Sequence, residues 1–387
     1  MRVLHTSDWH AGKILFGQDR TPDLEYALQQ MLEIIEQEQV ELVLVAGDLY
    51  DAYRPPADAT KVLHKFFLGL HRLKTPAVVI SGNHDSARFW LALQELLGLA
   101  TIHVFDQPQA KSHVQFHFKG QDLWVTALPY PLERQLVKLS QEIGNTAEQR
   151  ASYAHQVQRI LAALAKHVPQ SGHAILLSHL MIGGAVPGKS ERPLSISDTF
   201  TVPVSALPED YNYIALGHIH KRQEVKGTAA VAWYCGTPYA IDFHEAGVEK
   251  GILLVDFEPE RQPTVTFRPL KLKNQLIERR CLQSELEKVC QELKAIPGYY
   301  KLVIQVEGAS KGLADRARQL LGARLLRVQL EKPLAEEFMS EHQSLALEKP
   351  LEVYRAYCLE QNRPMDAELE KTFISLWQRV QENSVHT

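Results

Sequence analysis

Apolar residues follow two rhythms over the first two thirds of the chain. Short, nearly unbroken apolar runs (RVLHTS, VELVLVAG, PAVVISG, HVFD, VQFHF, LWVTALPY, HAILLSH, YIALGH, VAWYCG and GILLVDF) have the length and residue types of strands. Between them lie LEYALQQMLEIIEQEQ, ATKVLHKFFLGLHRL, WLALQELLGL and ASYAHQVQRILAALAKHV. There the apolar positions recur at the spacing of an amphipathic helix. Strands with so few polar positions are covered on both faces, which predicts a layered α/β domain over residues 1–257.

The rhythm breaks at EPERQPTVTF, polar and proline-bearing, which predicts a linker. After it, RPLKLKN (strand), CLQSELEKVCQEL (helix), YYKLVIQVEG (strand), ADRARQLLG (helix) and LLRVQLE (strand) predict a small α/β module over residues 266–335. Two amphipathic helices over residues 348–383, split by QNRPMD, complete the pattern. There are no internal repeats or low-complexity tracts.

Composition narrows the class. A chain of 387 residues suggests two or three domains, and 45% hydrophobic with 23% charged residues is an ordinary globular make-up. No apolar run is long enough for a membrane span, and MRVLHTSDWH begins as a strand rather than a signal peptide. Cys235, Cys281, Cys290 and Cys358 are scattered without a CxxC pair, which predicts plain thiols in a reducing cytoplasm. With a formal net charge of −4, binding of nucleic acid would need a local basic patch or a partner that supplies one. The 17 histidines stand out, and they direct the search to a metal.

Many of the candidate donors collect at strand ends. RVLHTS runs into Asp8, Trp9 and His10, VELVLVAG into Asp48, and PAVVISG into Asn83, His84 and Asp85. HAILLS ends in His179, and YIALG in His218, Ile219 and His220. Polar groups at the mouth of a buried strand are costly to desolvate unless something uses them. Carboxyl ends of strands are where open α/β sheets build their sites. The Asp-x-His and His-x-His spacings place alternate side chains of an extended segment on one side, so both can reach one centre. Carboxylates, imidazoles and the neutral Asn83 amide are donors for divalent cations, and a shared carboxylate can join two of them. Such a pair activates water and neutralises charge that grows on a phosphoryl group.

DWH, GDLYD, GNHD, SH and GHIH, in that order and spacing, resemble the five motifs of the calcineurin-like metallophosphoesterases. LHTSDWHAGK, GDLYDAYRPP, LPY and GTPYAIDFHEAGVEKG are similar to the bacterial SbcD branch of the Mre-type DNA repair nucleases. The resemblance implies an α/β fold: a calcineurin-like metallophosphoesterase layered β-sandwich flanked by helices, plus a small α/β capping domain and a C-terminal helix pair. The capping domain would gate DNA access, and the helix pair would bind an SbcC-type coiled-coil ATPase. Two divalent metal ions, for preference manganese, are implied. Asp8, His10, Asp48 and His220 would hold one, and Asp48 (as bridge), Asn83, His179 and His218 the other. His84 would be catalytic, acting on the transition state and the leaving oxygen, with Asp85 orienting its ring. The implied activity is that of an ATP-dependent double-strand exonuclease and single-strand or hairpin endonuclease in DNA repair, replication and recombination. The implied assembly is a homodimer within a heterotetramer. One position departs: many archaeal and eukaryotic relatives carry a second catalytic His three residues after the bridging Asp, and here that residue is Asp51. Acid catalysis then falls to His84 alone.

Other features have plainer readings. His64 and His71, on one helix, read as surface or interface residues. His173 opens the strand that His179 ends, roughly 20 Å away by strand rise, which excludes it as a ligand. His103, His113, His117, His155, His167 and His244 read as ordinary. Phe66, Phe67, Leu68 and Leu70, with Phe89, Trp90, Leu93 and Leu97, spread over more than one helix face, as in a buried pair or a homodimer seam. Leu351, Tyr354 and Cys358, then Leu369, Phe373, Leu376 and Val380, form stripes that dock on the small module or, by the resemblance, on the ATPase. Two rival functions remain. A small-molecule phosphoesterase acting on cyclic nucleotides would not need the extra modules. A catalytically silent scaffold for the ATPase would have no reason to keep such costly groups.

Overall fold

The computed structural model describes residues 1–109, 111–132, 135, 153–188, 190–191, 200–306 and 312–331, and residues 351, 354–355, 358, 365 and 369–374 near the C-terminus. The strands that build it are β1 (Arg2–Thr6), β2 (Leu42–Ala46), β3 (Ala77–Ile80), β4 (Ile102–Phe105), β5 (His113–Phe118), β6 (Gln121–Leu128), β7 (His173–His179), β8 (Tyr213–Gly217), β9 (Gln223–Val225), β10 (Val231–Tyr234), β11 (Gly251–Asp256), β12 (Thr264–Pro269), β13 (Gln275–Leu282), β14 (Gly298–Gln305) and β15 (Leu325–Glu331). The helices are α1 (Thr21–Gln37), α2 (Ala57–Leu73), α3 (Ala87–Leu99), α4 (Tyr153–Ala165), α5 (Leu286–Lys294) and α6 (Leu313–Leu321).

Two six-stranded sheets face each other. The first has the order β12-β11-β1-β2-β3-β4, with β1 to β4 parallel and β11 antiparallel to β1. The second has the order β9-β10-β8-β7-β6-β5, with β10, β8, β7 and β6 parallel. Period-two alternation sorts each strand between two cores. In β2, Leu42, Leu44 and Ala46 turn to the second sheet and meet Ile175, Leu177 and Ala215, while Val43 and Val45 turn outward under α1 and α2. Both faces are apolar, so both need cover, and α4 with the outer face of β7 and β8 supplies the last layer. Fully burying each aliphatic side chain of β2 is worth about 1.5–3 kcal/mol. A polar substitution there would break the strand that ends in Asp48.

The stretch expected as a linker is irregular only as far as Pro263. Thr264–Pro269 pairs antiparallel with β11 as an edge strand, so the first sheet extends past Phe257. Its alternating polar residues fit an edge with one exposed face, which a proline-bearing composition disguised. RPLKLKN is likewise no strand beyond Pro269, and the next strand starts at Gln275. From there β13, β14 and β15 form a parallel three-stranded sheet with α5 and α6 as crossovers, around Cys281, Leu286, Leu302, Ile304 and Leu321. Leu276 packs with Leu15, Ala240 and Phe243 of the body, and the Asn274 backbone N–H and side-chain amide both donate to Asp23. Tyr354 stacks on Phe373 with ring centres 4.7 Å apart. Leu376 and Val380 lie outside the described residues. Among the described residues no helix is long and apolar enough to cross a membrane.

Candidate metal centre

The carboxyl ends of β1, β2 and β3 in the first sheet and of β7 and β8 in the second meet at one edge of the sandwich. They bring together Asp8, His10, Asp48, Asn83, His84, His179, His218 and His220. Asp8 with His10 and His220, His10 with Asp48 and His84, and Asp8 with Asp48 and His179 each place candidate ligand atoms within 4.8 Å of one another. Four of these residues leave their strands through the left-handed region, at φ 54° (Asp8), 46° (His10), 51° (Asp48) and 98° (His218). Such backbone costs on the order of 1–3 kcal/mol per residue and persists only where its surroundings enforce it. Here Asp8 and His10 donate backbone bonds to Gly47 and Asp48 carbonyls at 3.0 Å each. The glycines of GN and GH make room for the cage. A β-carbon on Gly82 would sit 2.1 Å from Asp48 Oδ1, and one on Gly217 would sit 1.9 Å from the Ala46 carbonyl oxygen.

Hydrogen bonds decide which imidazole nitrogen faces inward, because carbonyls and carboxylates only accept. His10 Nδ1 donates to Asp51 Oδ1 (3.2 Å) and His179 Nδ1 to the Ala46 carbonyl (2.7 Å). His220 Nδ1 donates to Ser190 Oγ (2.7 Å), whose own proton goes to Glu245 Oε1 (2.6 Å). The Nε2 lone pairs of His10 and His220 then point at each other across 3.2 Å with no hydrogen between them. On the other side, Asn83 Oδ1 lies 3.0 Å from both His179 Nε2 and His218 Nδ1. Asp48 Oδ1 accepts the His84 backbone N–H (2.8 Å), while Oδ2 sits 3.8 Å from His10 Nε2 and 3.5 Å from His179 Nε2, between the two clusters. Opposed lone pairs are repulsive unless positive charge lies among them, so the donors fit divalent cations.

The electrostatics agree. Burial works against charge on Asp48, but the surrounding imidazoles of His84 and His179 hold its carboxyl well below the usual range. Burial also disfavours a charged His179, yet Asp48 and Asp8 carry its pKa up to about 9. The cage is built around carboxylates and demands positive charge.

The structure differs from expectation at Asp85. Its carboxylate accepts the backbone N–H groups of Leu49, Tyr50 and Gly82, at 3.1, 3.0 and 2.9 Å, and braces the two loops instead of orienting His84. The His84 ring is held by the Asp51 carbonyl, which takes its Nδ1 proton at 2.9 Å. Asp51 thus serves two histidines, His10 through its carboxylate and His84 through its backbone. Burial opposes charge on the Asp51 carboxyl, but the bond to His10 and the nearby Lys13 keep its pKa far below normal. His84 Nε2 lies 3.9 Å from Asp48 Oδ2, and it is the most exposed of the histidines in the centre. Sequence reasoning missed Ser190, Glu191 and Glu245. Glu191 accepts the His220 backbone N–H at 2.8 Å, and Glu245 pairs with buried Lys250 at 2.7 Å. Glu245 and Lys250 lie in GTPYAIDFHEAGVEKG, so a signal existed, whereas nothing in the sequence around Ser190 marks it. His173 packs against Phe257, far from the cage.

A family model of calcineurin-like phosphoesterases matches residues 1–222, more than half of the chain. Together with the metal centre this defines the class: the chain belongs to the calcineurin-like phosphoesterase family. Two relatives refine it. The SbcD component of the SbcCD nuclease of Bacillus subtilis is 33% identical over 266 residues, 68% of each chain. That of Staphylococcus epidermidis is 29% identical over 299 residues, 76% of this chain and 75% of that one. Among solved structures, a dimetal phosphatase from Danio rerio is similar with a TM-score of 0.46 at 13% identity, over 70% of this chain and 96% of that one. Within the class, the chain is one of the SbcD subunits, and it is a hydrolase acting on phosphodiester bonds.

Proposed function

We propose that this chain is the manganese-dependent nuclease subunit of an SbcC–SbcD-like complex in the cytoplasm, cutting DNA phosphodiester bonds. The observation that carries the reading is the meeting of donors from five strand ends beside a histidine whose Nε2 is left free. Asp8, His10, Asp48 and His220 hold one metal, and Asp48, Asn83, His179 and His218 the other. When bound, the metals supply water activation and neutralise phosphoryl charge. The chain's own part is positional. Asp48 Oδ2 ties the two clusters, Ser190 and Glu245 fix the His220 ring, and Asp51 fixes His10 and His84. The His84 Nδ1–H is committed to the Asp51 carbonyl, so a second proton on Nε2 makes His84 an imidazolium. That cation stabilises the transition state, gives the Nε2 proton to the leaving oxygen and returns to the neutral ring.

The module from Gln275 to Glu331 caps the site and gates DNA. The apolar face of α2 and α3 joins two copies, and the helices after Pro350 bind the coiled-coil ATPase, giving a heterotetramer that works in repair, replication and recombination. The test is cleavage of hairpin oligonucleotides and duplex ends with manganese, with and without the ATPase and ATP. A version truncated at Pro350 should keep single-strand cutting and lose ATP-dependent action on duplex ends. Hydrolysis of cyclic nucleotides alone would favour the small-molecule reading, and no hydrolysis at all the scaffold.

A further inference from the structure

A cavity of about 340 Å³ opens beside the metal centre, and Asn83 belongs to both. Tyr53, Arg88, Asp106, Tyr130 and Gln135 line it. Two of these walls are tied to the cage: Tyr130 stacks along His218 at 5.9 Å, and the Tyr53 hydroxyl donates to the Asn83 carbonyl at 3.3 Å. Asp106 is only 5% exposed, and among the described residues its carboxylate accepts its own backbone N–H and no hydrogen bond from another residue. A carboxylate so placed has acceptor capacity to spare and is costly unless further donors reach it. Its charge repels phosphate, so the group that fits is a neutral one rich in N–H. The volume lies at the low end for small-molecule sites and far below what a duplex needs.

We propose that this cavity is a nucleobase subsite. It takes the unstacked base next to the scissile phosphate, with Asp106 accepting the N–H groups of guanine or cytosine and the tyrosines flanking the ring. The inference rests on the DNA reading above. Aspartate accepts the exocyclic amine of cytosine, and guanine offers two parallel N–H donors on its pairing edge. Thymine offers one N–H between two carbonyl oxygens that the carboxylate would repel. Arg88 is placed to meet backbone phosphate, and tyrosine rings provide stacking that any base can use. A base can enter only by leaving the duplex stack, so cutting next to this subsite requires a frayed, looped or single-stranded nucleotide.

Titration calorimetry on the full chain with saturating manganese tests this with dGMP, dCMP, dTMP and deoxyribose 5-phosphate, which share a phosphate. The expected result is binding of dGMP and dCMP about tenfold or more tighter than dTMP or the base-free sugar phosphate. Asp106→Asn, nearly isosteric, should shrink the dGMP-to-dTMP ratio to below about threefold. Equal affinities in the unaltered protein, or an unchanged ratio in Asp106→Asn, overturn the subsite. Cleavage of single strands ending in guanine or in an abasic nucleotide separates the two readings. Selective dGMP binding without any DNA cleavage would support the subsite and overturn the nuclease assignment. Cleavage indifferent to the terminal base would overturn the subsite alone.

Discussion

At the strand ends, Asp8, His10, Asp48, His84, His179, His218 and His220 are between 0% and 8% exposed. On the outer face of α2 and α3, Leu68, Leu91, Leu96 and Leu99 are between 54% and 80% exposed. One region buries polar groups and the other exposes apolar ones, so each departs from ordinary sorting in the opposite direction. The remedy also differs. The polar cluster is satisfied from within the chain, by partners such as Asp51, Ser190, Ala46 and Glu245, and lacks only positive charge. The apolar face, with a cavity of about 360 Å³ between His64, His71, Leu93 and Leu96, has no cover among the described residues. A site completed by an ion can be built to fixed geometry by one chain, whereas a site completed by a surface cannot.

The sharpest way to break the polar half is His84→Ala. Cleavage should fall by about 100-fold or more while bound metal, measured by elemental analysis of the same sample, stays constant. Loss of metal would make His84 a ligand instead. On the apolar half, replacing Leu96 and Leu99 by Glu should weaken self-association by about 100-fold or more, read by sedimentation, with cleavage of a small phosphodiester retained. A monomeric parent protein would refute the proposed seam. Next in size is Asp51→Ala, which leaves the backbone carbonyl under His84 but removes the acceptor for His10. Manganese affinity at one site should drop by about 10- to 100-fold, with Asp51→Asn in between.

The smallest effect separates buried polar groups that serve the site from those that only pack. His5, buried on β1 with Nδ1 2.9 Å from the Tyr213 hydroxyl, has a pKa lowered by burial from 6.5 to about 3. The unfolded chain therefore binds this proton more readily, so stability from neutral His5 is full above pH 6.5 and is lost as pH falls toward 3. Unfolding free energies from urea titration at pH 5 and 7 should differ less in His5→Asn, by up to about 1.4 kcal/mol for each pH unit below the unfolded pKa. An identical pH response in both proteins would show that His5 is already compensated.

Much of the site was legible because strands count in twos: a polar residue just past an apolar run must leave the sheet at its edge, and the five edges share one end. The partners of those residues were not legible. Ser190 and Glu191 reach His220 from a distant loop, and a backbone carbonyl such as that of Asp51 has no sequence signature at all. Asp85 misled because the resemblance made it the partner of the His84 ring, while the turn sends its carboxylate toward Leu49 and Tyr50. The edge strand Thr264–Pro269 hid behind its proline and polar alternation, since half of an edge strand's residues face water. The α2–α3 helices showed apolar residues on two faces. Only the fold could divide them into Phe66, Phe67 and Trp90 within, and Leu96 and Leu99 without.

The His179 bond to the Ala46 carbonyl crosses from one sheet to the other, as does the pair of bonds from the His218 backbone N–H to Asp8. The centre is therefore a clasp on the seam of the sandwich, and any cation held there is linked to folding as well as to chemistry. At a hundredfold excess over its dissociation constant, an ion bound only by the native state adds about 2.7 kcal/mol to stability. Metal starvation would then act on the amount of folded protein and not only on its turnover, making the chain's abundance a gauge of the ion supply around it.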